Sequence, residues 1–323
     1  MMLPRVRIAH LPTKIETLER LSAKLGGPVI LCKRDDQTGL GMGGNKTRKL
    51  EYVLADAQSH GSKTLITVGS IQSNHCRQTA ALAARYGMGC ILVLSGTKPE
   101  IAGGNLLLDQ LFGAEIVWTT REERDETLKK VFEQAWDSGR RPLLVPLGAS
   151  NVVGTMGYFT AFEEYLDQGV PVDWMVVASS SGGTQAGLVL GAKKHDWRGR
   201  ILGISIDHPA AELQKTVSGL VNAAADRIGE PFRVQSEEIL VNADYLGGGY
   251  AVMGEPEIEA IRLFAREEGL LLDPVYTARA AAGLIDLTRR GFFDRSQTVL
   301  FWHTGGSPAL FAEPYQSQLQ PAE

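Results

Sequence analysis

Short apolar runs alternate with helical patterns along almost the whole chain. Runs of strand length fall at residues 28–33, 63–68, 90–94, 115–119, 143–147, 174–179, 201–206 and 298–303, with another extended stretch at 238–241. Between them apolar residues recur at three- and four-residue spacing. That spacing predicts helices over 47–58, 73–86, 105–112, 121–138, 153–167, 184–194, 210–228, 255–268 and 279–290. Strands apolar at nearly every position, each followed by a helix, predict parallel sheets with right-handed crossovers. The alternation runs twice, so the chain reads as two consecutive α/β units with a cleft between them. No Pro- or Ser-rich linker separates the units. Several chain crossings, near Thr47 and Val153, are therefore expected rather than a single hinge.

A length of 323 residues suffices for one large or two ordinary cores. The formal charge is −4 with signs mixed, leaving no basic stripe for nucleic acid and no like-charge tail. A small-molecule partner is expected. No apolar run reaches membrane-spanning length, and residues 1–13 lack the apolar core of a signal peptide. Cys32, Cys76 and Cys90 are odd in number and lack CxxC spacing, which argues against a disulfide framework or a structural zinc. A cytoplasmic protein without a metal fits these features.

Chemistry concentrates in four stretches. In Gly43-Gly44-Asn45-Lys46-Thr47-Arg48-Lys49, glycines and an asparagine allow a tight turn and close approach to a ligand. Lys46 sits at the lip of a helix, where an amine shielded from water can lose its proton and attack a carbonyl. The same letters also suit a plain glycine turn with solvated lysines. Ser179-Ser180-Ser181-Gly182-Gly183-Thr184 leaves a buried strand and opens a helix. The backbone amides of such a turn, with the hydroxyls of Ser180, Ser181 and Thr184, suit phosphate; an ordinary capped turn is the other reading. Neither GK[ST] nor GxGxxG spacing is present.

Ser70-Ile71-Gln72-Ser73-Asn74-His75 also joins a strand to a helix. There Ser73 and Asn74 would meet a carboxylate at the helix start, or simply cap it. The fourth stretch is split: Tyr276 follows the restricted approach of Pro274, and His303-Thr304-Gly305-Gly306 closes the last strand. A phenol there serves as acid, base or donor, or packs as an aromatic. Glycines at a strand's carboxyl end let a ligand sit close.

The segments KRDDQTGLGMGGNKTRKLEY, TLITVGSIQSNHCRQTAA, VVASSSGGTQAGL, LLDPVYTARAAAGLID and VLFWHTGGSPALF together resemble the fold-type II, tryptophan-synthase-β-like enzymes that use pyridoxal 5′-phosphate (PLP). More narrowly, they are similar to the family joining 1-aminocyclopropane-1-carboxylate deaminase and D-cysteine desulfhydrase. They stand in family order and span nearly the whole chain. The resemblance implies an α/β fold of two open, twisted, largely parallel sheets with the active site in the cleft between domains. The larger, PLP-binding domain would comprise residues 1–48 and 155–323. The smaller, 49–154, would carry the loop for the substrate carboxylate.

The resemblance also implies roles. Lys46 matches the lysine that bonds the cofactor's aldehyde, and Asn74 the asparagine beside its phenolic oxygen. Ser180, Ser181, Gly182, Gly183 and Thr184 match the phosphate cradle, and Asn45 and Thr304 complete the cofactor site. Ser73, Asn74 and His75 match the carboxylate loop. Lys46, Ser73 and Tyr276 are the implied catalytic residues. Tyr250, in the glycine-rich stretch 244–252, is a further candidate substrate contact, unless that stretch is a surface loop.

In the cyclopropane deaminases a glutamate follows the active-site tyrosine and the late motif reads HLGG. Here Thr277 and Thr304 stand in those places, matching the desulfhydrase side. A threonine near the pyridine nitrogen only hydrogen-bonds, so the ring is a weaker electron sink. That suits departure of a good β-substituent and suits ring opening poorly. The implied reaction is β-elimination from D-cysteine to pyruvate, sulfide and ammonia. L-cysteate sulfo-lyase is the alternative, and cyclopropane deamination lies further off. A non-catalytic PLP or amino-acid binder and a nicotinamide dehydrogenase are the other classes weighed. The partner is then a small amino acid, not nucleic acid or membrane, and a homodimer is the family expectation.

Overall fold

The computed structural model describes residues 3–320. Residues 1–2 and 321–323 lie outside the described residues; they are the outer ends of the expected larger unit, and the first two also begin the stretch read for a signal peptide. A six-stranded sheet contains β1 (Ile15–Thr17), β2 (Val29–Arg34), β7 (Trp174–Ser179), β8 (Arg200–Ser205), β9 (Leu240–Asn242) and β10 (Thr298–His303), ordered β1-β2-β10-β7-β8-β9. Edge strand β1 pairs antiparallel with β2, and the other pairings are parallel. A four-stranded parallel sheet runs β5 (Glu115–Thr119), β4 (Gly89–Ser95), β3 (Thr64–Ser70), β6 (Pro142–Leu144).

The larger sheet is covered on both faces, and residue parity sorts the cover, because successive side chains of a strand point oppositely. Ile30, Cys32, Val176 and Ala178 pack with α9 (Glu255–Glu268) and α10 (Thr277–Arg289) through Ile261, Phe264 and Leu284. Leu31, Met175, Val177 and Trp302 face the other way, against Tyr158 and Phe162 of α6 (Val152–Asp167) and Leu188 of α7 (Gly183–Lys194). Burying each of the larger aliphatic side chains and Phe among these stabilises the fold by roughly 1.5–3 kcal/mol. The smaller sheet divides likewise. Leu65, Leu92 and Leu94 pack with α2 (Lys46–Ser59) and α3 (Asn74–Arg85), while Ile66, Val68, Ile91 and Val93 pack with α5 (Arg124–Asp137). Helix α2 lies so close to α6 that a Cβ on Gly157 would fall 2.5 Å from the Arg48 carbonyl oxygen. A glycine inside a helix, normally unfavourable, is required at that approach.

Three local differences from the sequence reading have clear causes. The strand expected over 143–147 is Pro142–Leu144, followed by a 3₁₀ turn at Leu147–Ala149. Pro146 has no N–H to continue a ladder, and Gly148 turns left-handed at φ 65°. Helix α10 starts at Thr277 rather than Arg279, because the Asp273 carboxylate accepts the amides of Val275, Tyr276 and Thr277. The three-residue β1 and the short helices α1 (Glu19–Leu25) and α11 (Tyr315–Leu319) carry too few residues to show a period. Other described helices are α4 (Gly104–Leu111) and α8 (Ala210–Ile228). No described helix is long and apolar enough to cross a membrane.

Carboxyl ends of strands from both sheets border one cavity of ≈ 470 Å³: Gly69, Ser70, Ser95 and Thr119 from the smaller, Ala178 and Ser179 from the larger.

Candidate active site

The lysine loop leaves β2 through a 3₁₀ turn at Asp35–Gln37 and reaches α2 through two glycines. Gly43 has φ 70°, and a Cβ there would lie 1.9 Å from the Asp36 carbonyl oxygen. The Asn45 amide donates to the Thr304 carbonyl at 3.0 Å, joining the loop to the end of β10. Beneath it, the wholly buried Asp35 accepts from Arg48, Tyr158, Trp302 and Thr13, and Arg48 also bonds Glu164. Burial alone would raise the Asp35 carboxyl. The charge and hydrogen bonds of Arg48 outweigh it and hold the group at about 2. On this base Lys46 lines the cavity, and its amine has no hydrogen bond among the described residues. Burial pushes that amine down to about 8.

The serine-glycine turn joins β7 to α7. Gly182 is left-handed at φ 79° and starts the helix. The Gly183 amide donates to Ser150 Oγ, and Thr184 Oγ1 accepts from Asn45 Nδ2 at 3.0 Å. Ser180 and Ser181 already have protein partners: the first donates to Asp207 Oδ2 at 3.0 Å, and the second pairs with Ser150 Oγ at 2.7 Å. Lys49 completes this corner. Its buried amine donates to the Gly148 carbonyl at 3.1 Å and to Ser150 Oγ at 3.2 Å, and it forms no ion pair with a described carboxylate. Burial, and then the charge of Lys46, hold it well below the usual lysine range. From the sequence, Lys49 is named only as the end of the lysine loop, without a role, and Ser150 is not included. Lys49 was discoverable, since three residues along a helix return to one face. Ser150 carried no local signal.

Across the cavity, Ser73 caps α3 by accepting the Cys76 amide at 3.2 Å. Asn74 Oδ1 accepts from Asn105 and Arg77. His75 is buried, and Nε2 meets Thr67 Oγ1 at 2.9 Å. The single Thr67 proton goes to the Val145 carbonyl, so Nε2 must be the donor. Burial, with the charges of Lys46 and Lys49, keeps this imidazole neutral.

Tyr276 and Tyr250 share a hydrogen bond, and Ser70 Oγ lies 3.1 Å from the Tyr250 hydroxyl. Burial, then Tyr250 and the carboxylates of Asp273 and Asp207, hold the Tyr276 phenol well above its usual value. The stretch 244–252 is thus no free surface loop at Tyr250. Arg279 anchors it at the carbonyls of Gly249 and Val252.

The two threonines part company. Thr304 lines the cavity, whereas Thr277 donates to Asp273 Oδ1 at 2.8 Å and is wholly buried, away from the cavity wall. The place expected for Thr277 beside a cofactor ring is corrected accordingly: the α10 cap consumes its hydroxyl. Arg121 and Arg124 stand at the cavity mouth. Among the described residues, no group of three or more His, Cys, Asp or Glu is placed to hold a metal. The arrangement therefore brings together the serine-glycine turn at the start of α7, a deprotonatable amine, the capped start of α3 and a protonated phenol.

A sequence profile of the family described as "Pyridoxal-phosphate dependent enzyme" matches residues 6–305. A D-cysteine desulfhydrase of Klebsiella pneumoniae subsp. pneumoniae is 41% identical over 324 residues, covering 96% of each chain. A crystal structure described as an ACC deaminase homologue superposes with a TM-score of 0.90 at 38% identity, covering 98% of this chain and 95% of that one. The processed threonine deaminase isoform 2 from Solanum lycopersicum, 18% identical, shares the fold with a TM-score of 0.66 over 96% of this chain and 83% of that one.

Proposed function

The chain belongs to the pyridoxal-phosphate dependent enzymes of fold type II, and from that membership we propose that it eliminates sulfide from D-cysteine. D-Cysteine and one water give pyruvate, ammonia and hydrogen sulfide. The observation that carries the reading is the Lys46 amine, without a partner among the described residues and lowered by burial to about 8, on a cavity shared with the serine-glycine turn and a pair of phenols.

The residues present fit the cofactor. Lys49 is a buried amine beside Gly183 with no carboxylate partner among the described residues, so an anion there would favour its charged form, and Ser179 Oγ, on the cavity wall, is buried with no partner among the described residues. A Cβ on Gly183 would fall 2.9 Å from Lys49 Nζ, which keeps the cradle open only to glycine. Lys49 and the turn from Ser180 to Thr184 would hold the phosphate, Lys46 the aldehyde, the Asn74 amide the ring oxygen, and Thr304 the ring nitrogen. When bound, PLP draws electron density from the substrate's Cα and makes its proton acidic.

Ser73 and the first amides of α3 hold the substrate carboxylate, where the helix terminus favours an anion. His75 braces that loop through Thr67. Lys46 Nζ takes the Cα proton, because its depressed pKa leaves neutral amine available near pH 8. Tyr276, kept protonated, donates to the departing sulfur, and Tyr250 orients it. A sulfonate in place of the thiol is disfavoured by Asp207, a carboxylate on the cavity wall whose charge reaches both phenols.

The same reading divides the chain into 1–48 with 155–323 and 49–154, supported by a cavity wall drawn from both sheets. It includes a homodimer and a cytoplasmic setting, the latter supported by three free, buried thiols. The test is release of sulfide and pyruvate in equal amounts from D-cysteine, with L-cysteine and L-cysteate assayed alongside. Sulfite from L-cysteate without sulfide from D-cysteine overturns it.

A further inference from the structure

The Asn74 amide faces one way for reasons that lie outside the cavity. Its Oδ1 accepts from Asn105 Nδ2 at 2.9 Å and from Arg77 Nη1 at 3.3 Å. Asn105 is itself fixed: its Nδ2 also donates to the Gln72 carbonyl at 2.8 Å, and its Oδ1 accepts from Arg77 Nη1 at 2.9 Å. A guanidinium carries only donors, so both amide oxygens must turn toward it. Burial lowers Arg77 to about 10, which still leaves it cationic at neutral pH. Its Nη2 donates to the Gly43 carbonyl at 2.7 Å, three residues before Lys46.

With Oδ1 taken, Asn74 Nδ2 has no partner among the described residues; Asn74 lines the cavity, and its Nδ2 packs over Gly306, where a Cβ would lie only 2.4 Å away. We propose that Arg77 and Asn105 are positioning residues that lock the Asn74 amide with its N–H groups toward the cavity, while Arg77 ties the lysine loop to helix α3. This deepens the reading above and rests on the Asn74 contact assigned there. A cavity face that only donates favours the ionised form of a ring oxygen and rejects the protonated one.

Asn105→Asp tests this with almost no change of shape. It replaces the donor facing Asn74 Oδ1 by an acceptor, so the Asn74 amide turns over and shows its oxygen to the cavity. In the holoenzyme, the pH midpoint of the cofactor's visible absorbance is expected to move by about half a unit or more, and the PLP dissociation constant to rise about tenfold. Neither should change further when N105D is added to N74A. Arg77→Lys, which keeps the charge and loses the planar fork, must follow the same pattern. Thermal unfolding of the apo forms checks that each variant folds. No shift in either background, or equal shifts in both, overturns the assignment. Absorbance reads the bound cofactor rather than turnover, so a protein inactive on D-cysteine still decides this question.

Discussion

The phenol oxygens of Tyr250 and Tyr276 lie 2.7 Å apart, and only one of them can donate across that contact. Ser70 Oγ, on the far side of Tyr250, completes a chain of three hydroxyls crossing from the larger sheet's side to the end of β3. With Ser70 donating to Tyr250 and Tyr250 to Tyr276, the Tyr276 proton would be free to point into the cavity, which is the arrangement the acid role requires.

Tyr276→Phe is therefore expected to lower kcat on D-cysteine by about 10²–10⁴-fold, the usual range for loss of a positioned acid. Tyr250→Phe leaves the acid in place and removes one hydrogen bond, and should cost about tenfold. Visible absorbance of the bound cofactor should survive in both. Steady-state kinetics on D-cysteine decide the matter, and a Tyr276→Phe enzyme working at the parent rate excludes the acid role.

Lys46 reacts only as the free amine, and burial places its pKa at about 8. Recombination of apoenzyme with PLP should thus accelerate as pH rises through about 8 and level off above it. An exposed lysine would keep accelerating toward its usual value near 10.5. Stopped-flow absorbance from pH 6 to 10 separates these profiles. Lys46→Ala should show no covalent absorbance band at any pH.

Asp207→Asn removes the carboxylate that the two phenols sense. Relative to D-cysteine, kcat/KM for cysteate should rise about tenfold, the scale of a partly screened unit charge acting over several ångströms. An unchanged ratio would show that Asp207 plays no part in discriminating the β-substituent.

Asp35 supports the lysine loop from below, and its folded pKa of about 2 lies under the ordinary 3.8. A depressed carboxylate stabilises the fold above its unfolded pKa, and that stabilisation fades as pH falls from about 4 toward 2. The linkage amounts to about 2 kcal/mol. Asp35→Asn should lose this pH dependence and, by leaving Arg48 short of a partner, cost roughly 3–5 kcal/mol. Urea unfolding at pH 7 and at pH 3 measures both effects.

Much of this was legible along the chain. The parallel strands declared themselves because a strand covered on both faces must be apolar at nearly every position. The lysine loop did so because its glycines perform local geometry, as Gly43 shows at φ 70°. Tyr276 was visible through its proline, although the Asp273 cap that seats it and diverts Thr277 was not. Along the chain the hydroxyls of the serine-glycine turn look free to donate to a ligand, but in the fold Ser180 is engaged by Asp207 and Ser181 by Ser150.

By itself, then, the order of residues determined the elements, the α/β class and the four chemical stretches, since each depends on neighbours within a turn or a strand. Only the folded chain decided which of those groups are free to react. Lys49 meets Ser150 across 101 positions, Arg48 meets Glu164 across 116, and Asn74 is turned by Asn105 across 31. Contacts of that span leave no periodic trace, because they are set by how helices and sheets pack. Burial, which moves Lys46 and Tyr276 in opposite directions, arises only once the two sheets enclose the cavity.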